Sequence, residues 1–222
     1  LPDIFDEVEE DLRAERMRRM LRRYGGLLVA AAVVVVVGVA GYEAWVWHQS
    51  RGALSVAETY LAATKAADAP PGADRAAADP LLAEVVAKGG AGYRALARLR
   101  QAALLAEAGD VKAANAVWDR VAADGPDPLL RDFADLQWIL HNVDAGDPAA
   151  LTARLARLTA PGNPWHGLAD EAQALLQLRQ GQIDAARDTL RLLAQDTGAP
   201  QGVRQRASGL LEQIGPVKAT GS

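Results

Sequence analysis

ALARLRQAALLAEAGDVKAANAVWDRVAAD (residues 95–124) reads as two helices joined at a single glycine, Gly109. Apolar residues return every three or four positions on both sides of it, and glycine readily takes the left-handed conformation that ends a helix. The layout recurs in LLRDFADLQWILHNVDAGDPAALTARLARLTA (residues 129–160) around Gly146 and in GLADEAQALLQLRQGQIDAARDTLRLLAQD (residues 167–196) around Gly181. The three glycines stand 37 and 35 residues apart. Five positions after each come Ala114, Leu151 and Ala186; nine after, Trp118, Leu155 and Leu190; twelve after, Val121, Leu158 and Leu193. Those offsets share one face of a helix, the face that must pack against its partner. Gly125-Pro126-Asp127-Pro128 and Pro161-Gly162-Asn163-Pro164 separate the units, since proline and glycine interrupt helices.

A period near 34 residues built as helix–turn–helix is the tetratricopeptide signature. The repeats are degenerate: the aromatic–leucine–glycine start of the consensus is missing, and the middle unit carries Leu151 where alanine is expected. Composition agrees with an all-α chain, because much of its apolar half is alanine and only two phenylalanines occur. The expected fold is all-α, a single N-terminal transmembrane helix followed by a tetratricopeptide-like helical-hairpin (α-solenoid) domain. Residues 92–214 hold the repeats, 48–91 a helical linker or capping region, and 215–222 a flexible tail. Within the capping region, Gly52 to Ala67 reads as a helix with Leu54, Ala57, Tyr60 and Leu61 as its apolar stripe. Asp68 to Asp74 breaks it, and Asp79 to Lys88 forms a second helix with Asp79 as its N-cap and Pro80 in its first turn. Gly89, Gly90 and Gly92 form the next break.

Upstream, Gly25 to Tyr42 carries no charge, and residues 13–23 hold six arginines. Eighteen residues make a helix of about 27 Å. Extended to Trp47, with Glu43 the one interruption, the segment (residues 24–47) is long enough for a hydrocarbon core of ~30 Å. Lipid offers backbone amides no water, so such a segment satisfies them internally as a helix. Arg18, Arg19, Arg22 and Arg23 mark the cytoplasmic side, which places residues 1–23, a juxtamembrane amphipathic helix, inside and the repeats outside. Tyr24 at one end and Tyr42, Trp45 and Trp47 at the other fit interfacial belts. The competing reading, a signal peptide cleaved near Gly38-Val39-Ala40, conflicts with an apolar run longer than the usual 7–15 residues. Gly26, Ala30, Val34 and Gly38 recur every four residues and form a narrow candidate face for packing against another transmembrane helix.

The acidic-then-basic start DIFDEVEEDLRAERMRRMLRRYG, one span and a short array of degenerate repeats resemble the YfgM-like ancillary subunits of the SecYEG translocon. That family shares its repeat domain with periplasmic cell-division coordinators. The resemblance covers nearly the whole chain, in layout more than in any diagnostic residue. It implies a single-pass protein of the bacterial inner membrane with a cytoplasmic N-terminus and a periplasmic domain. It also implies partners, the translocon and periplasmic chaperones, and a role in passing exported proteins between them. The alternative is an envelope scaffold or division coordinator that self-associates as a homo-oligomer.

The residues themselves point away from chemistry. From His48 onward 18 basic residues face 20 acidic ones, no footprint for nucleic acid. Absence of cysteine excludes disulfides, thiolate metal sites and cysteine nucleophiles. His48, His141 and His166 lack ligand spacing, the serines sit in no nucleophile elbow, and Gly89 to Gly92 lacks the Lys-Ser/Thr ending of a phosphate loop. Asp132 and Asp135, three apart on a helix, read as solvated surface. No catalytic, cofactor or metal residue is therefore expected. Trp118 reads as core, while Trp138, on a first helix of a hairpin, and Trp165, in a loop, are the candidate partner-binding aromatics.

Overall fold

The structure, a computed structural model, describes residues 4–69 and 75–215; within the first helix it describes side chains at 26, 30–31, 33–43, 45, 47 and from 52 onward. All regular structure among these residues is helical: α1 (Ile4–Ala67), α2 (Ala78–Lys88), α3 (Ala91–Glu107), α4 (Val111–Asp124), α5 (Pro128–Asn142), α6 (Pro148–Leu158), α7 (His166–Arg179), α8 (Ile183–Gln195) and α9 (Gln201–Ile214). A 3-10 turn, Arg75–Ala77, runs into α2. The chain divides into two units, Leu1–Leu54 and Ser55–Ser222.

In the first unit, Val33 to Val37 and Val39 are between 54% and 70% exposed. Five consecutive residues at 100° each point in every direction around a helix, so no apolar stripe here meets a protein core. Gly26 and Gly38 have open space where a side chain would stand, and Ala30 and Val34 are exposed as well. Among the described residues, no helix is long and apolar enough to cross a membrane. Side chains at 27–29, 32, 44 and 46, within the apolar run, and those of Arg18, Arg19, Arg22 and Arg23 lie outside the described residues, as does the tail from 216.

The second unit is a stack of hairpins, α3/α4, α5/α6 and α7/α8, closed by α9. Sequential helices pack together, and α3, α5, α7 and α9 also touch one another in turn. All nine residues at the offsets five, nine and twelve after the hairpin glycines are buried, none above 2% exposed. Each fully buried leucine or valine contributes about 1.5–3 kcal/mol relative to its exposed state. The core is not one mass but four consecutive clusters. The first joins Val56, Ala63 and Ala67 of α1 to Leu82 and Val85 of α2; the last joins Ala174, Leu190 and Leu193 to Val203 and Ala207 of α9. Local packing of neighbour on neighbour is the mark of a solenoid.

The starts of α4, α5 and α6 are written in aspartates. Asp110 accepts from the Ala113 amide at 2.9 Å, Asp127 from Leu129 at 2.8 Å, and Asp147 from Ala149 and Ala150, each at 3.2 Å. Pro128 and Pro148 follow two of these caps at a position where no amide is needed.

Several local expectations change. Gly109 and Gly181 are left-handed, at φ +87° and +74°, but Gly146 is not. The first two close matching turns: Gly109 donates to Ala106 and Asp110 to Leu105, and Gly181 donates to Leu178 and Gln182 to Gln177. In the middle unit the connection from α5 to α6 is longer, and Arg179 of the following hairpin reaches back to the carbonyls of Val143 and Gly146, both at 2.7 Å. The helix end is held by the Gly146 amide on the Asn142 carbonyl at 2.7 Å and by this neighbour, with no left-handed glycine. The α1 stripe also differs: Val56, Ala63 and Ala67 are buried with Tyr60 beside them, while Leu54 and Leu61 are 63% and 66% exposed. Asp79 does not cap α2, because the 3-10 turn leads straight into the helix at Ala78. Gly92 lies inside α3, so the break narrows to Gly89 and Gly90.

Candidate interaction groove

On α3 the residues Leu96, Leu99 and Ala103 lie on one face, and on α5 Leu129, Leu130 and Phe133 do the same. Between them runs a cleft of about 500 Å³ with a mainly apolar wall. Tyr60 from the end of α1 and Trp165, just before α7, also line it. Trp118 of α4 also lines it, 1% exposed, with its ring tilted against that of His141 and the ring centres 4.7 Å apart. Arg100 is the charged residue of the wall, and it pairs with Asp68 at the end of α1. The first helices of successive hairpins thus contribute the surface. Such a slot can take apolar side chains of a protein segment, with Arg100 and Gln137 as the polar residues of its lining.

Trp165 is held by several contacts. Its ring lies 5.1 Å from that of Phe133, and its indole N–H donates to the Leu129 carbonyl at 3.3 Å. Its amide donates to the side-chain oxygen of Asn163 at 2.9 Å, while the Asn163 amide group donates to Asp132 at 2.8 Å. A loop tryptophan is thereby fixed against α5. Trp138 is placed elsewhere. It bridges the second and third core clusters, with the Arg154 guanidinium 4.1 Å above its ring. Both tryptophans pack against the third core cluster, but of the two only Trp165 lines the groove.

Asp132 and Asp135 are not free surface acids: Asp132 is partly buried and Asp135 fully so. Asp135 is 4% exposed and pairs with Arg154 at 2.6 Å and with Arg157. Arg157 also reaches Asp132 at 3.2 Å, and Arg154 reaches Asp119 of α4 at 2.6 Å. Two carboxylates spaced by three on α5 thus face two arginines spaced by three on α6. That matched spacing is visible in the sequence, but only the pairing of α5 with α6 gives it meaning. Tyr60 and Phe133 carry no such signal, since any aromatic on a first helix could equally be core.

His141 hydrogen-bonds the Gln137 carbonyl in the last turn of α5 at 2.8 Å. His166 sits between Asn163 and Asp196; the side chain of His48 lies outside the described residues. Among the described residues no group of three potential metal ligands gathers.

A stack of hairpins whose first helices line an apolar slot is the architecture of a repeat scaffold for protein partners. The profile of the family described as Tetratricopeptide repeat-like domain matches residues 18–207, and the chain belongs to that family. The match begins at Arg18, so part of the arginine cluster and the apolar run fall within it. No curated protein and no solved structure matches the chain. A fold of this kind is typically a non-catalytic interaction scaffold.

Proposed function

We propose that this chain is a single-pass inner-membrane protein whose repeats bind protein partners through the groove between α3, α5 and Trp165. The observation that carries the binding reading is the groove itself: a built apolar slot on the first helices of a tetratricopeptide-like stack. Aromatic residues in such slots concentrate binding energy. The membrane reading rests on the uncharged run Gly25–Tyr42, the six arginines before it, and the valines exposed around its helix. In this orientation the N-terminus is cytoplasmic and the repeats periplasmic. The tether raises the local concentration of the groove near partners in the same membrane.

The partners we propose follow from the resemblance in layout: the Sec translocon and periplasmic chaperones that receive exported chains. The test is photocrosslinking in cells from a probe at Leu129, on the exposed rim of the groove, with Leu192 on α8 as control. Adducts to translocon subunits or chaperones from Leu129, absent from Leu192, support the reading. Self-adducts alone would transfer it to a self-associating scaffold. Equal labelling from both positions would reject the groove.

A further inference from the structure

We infer that His166 is a pH-sensitive pin that holds Trp165 in the wall of the groove. Its Nδ1 faces the Asn163 carbonyl and its Nε2 faces an Asp196 carboxylate oxygen, both at 2.8 Å. Both partners are acceptors. A neutral imidazole has one N–H and serves one of them; only the imidazolium serves both. Asp196 lies in the turn between α8 and α9 and is itself held by the Gly198 amide at 2.8 Å. Asn163 also fixes Trp165 through its side chain and ties to Asp132 on α5. One ring therefore connects the loop that carries Trp165 to the far side of the third hairpin.

The seat is shaped for close approach. At Gly167 an added side-chain carbon would stand 3.0 Å from the Ala199 methyl, so the start of α7 presses directly on the α8–α9 turn. The charges around the ring are Asp196 from that turn and Asp170 from α7 itself. Arg204 of α9 donates to the Ala199 carbonyl, and Arg157 of α6 pairs with Asp132 behind Asn163. The hydrogen bond to Asp196, then that to Asn163, raise the His166 pKa above its ordinary 6.5 against a smaller opposing effect of burial. A raised folded pKa makes the pin complete below the unfolded value and releases it as pH rises through the folded one. Release takes the ring's bond from either the Asp196 carboxylate, which keeps the Gly198 amide, or the Asn163 carbonyl, which keeps the His166 backbone amide at 3.1 Å, and so loosens the loop that seats Trp165.

The pin stands on its own; only its effect on partner binding rests on the function proposed above. The experiment uses the full chain in detergent micelles, with 5-fluorotryptophan and ring-labelled histidine, titrated from pH 5 to 9. His166→Gln and Trp165→Phe assign the two signals among three histidines and five tryptophans. The expected result is a His166 midpoint above 6.5 and a Trp165 fluorine shift with the same midpoint, without any partner present. Asp196→Asn lowers both midpoints together, and His166→Gln abolishes the Trp165 transition. A His166 midpoint at or below 6.5, or a Trp165 signal that does not move with it, overturns the pin. Because no partner is present, failure here leaves the crosslinking test of the groove standing, and failure of crosslinking leaves the pin standing.

Discussion

Asp135 shows how much one residue depends on what its neighbours bring. In the sequence it is one acid of a pair on an amphipathic helix. In the fold it is buried under two arginines from α6, and through Arg154 it is linked to Asp119 on α4. Replacing it by asparagine removes the charge and one of the two acceptor oxygens, and sets an amide NH2 against one of the two arginines. Both arginines retain access to water, which limits the penalty. The expected loss is about 1–3 kcal/mol, read as a lower midpoint of the cooperative tryptophan-fluorescence transition in denaturant. Asp119→Asn, whose carboxylate is half exposed, should cost well under 1 kcal/mol in the same experiment. The bond of Asp196 to His166 and to the Gly198 amide lowers the Asp196 pKa. That contribution is present above the unfolded value of 3.8 and lost as pH falls through the folded one. Acid and alkali therefore weaken the same contact from opposite sides.

Among the elements, the three hairpin turns look alike in sequence and are built in two ways. Gly109 and Gly181 hold a left-handed conformation, so alanine at either should destabilise by about 1 kcal/mol through backbone strain alone. Gly146 needs no special φ, yet a side-chain carbon there would stand 2.7 Å from its own helix's Asn142 carbonyl. Its turn is closed by its own amide on the Asn142 carbonyl and braced from outside by Arg179. Arg179→Ala is therefore expected to lower stability by about 1–2 kcal/mol, whereas Arg191→Ala, on an exposed i,i+3 pair, should change it little; thermal unfolding followed by tryptophan fluorescence separates them. Capping aspartates and the prolines after them are legible in the chain itself, because an N-cap is a local event. A carbonyl satisfied from 33 residues away is not.

For the whole molecule, stability is distributed along the stack, since each core cluster joins only neighbouring helices. Ends are therefore vulnerable in a predictable way. Removing residues 197–222 takes α9 away and uncovers Leu190, Leu193 and Ala174. A loss on the order of 3 kcal/mol is expected, with a lower unfolding midpoint and greater dye binding to exposed apolar surface. Removing residues 1–47 spares every residue of the first cluster, whose earliest member is Val56. The expected product is a folded helical protein, by circular dichroism, that no longer sediments with membranes. Continued sedimentation after alkaline extraction would refute the proposed anchor.

Sequence alone determined the three hairpins, their period, and the nine buried positions of the second helices, because each follows from spacing within one element and from where proline and glycine fall. It also presented the uncharged run with its arginines, whose physical meaning depends on composition rather than on packing. Tertiary structure alone decided which faces of the first helices remain open, and so that Trp165 lines the groove while Trp138 lies beneath Arg154. It alone joined Asp135 to two arginines and His166 to Asp196. Those choices turn on contacts between residues 16 to 36 positions apart. At such separations the rotation of one helix against the next selects the partner, and no local pattern in the chain encodes that rotation.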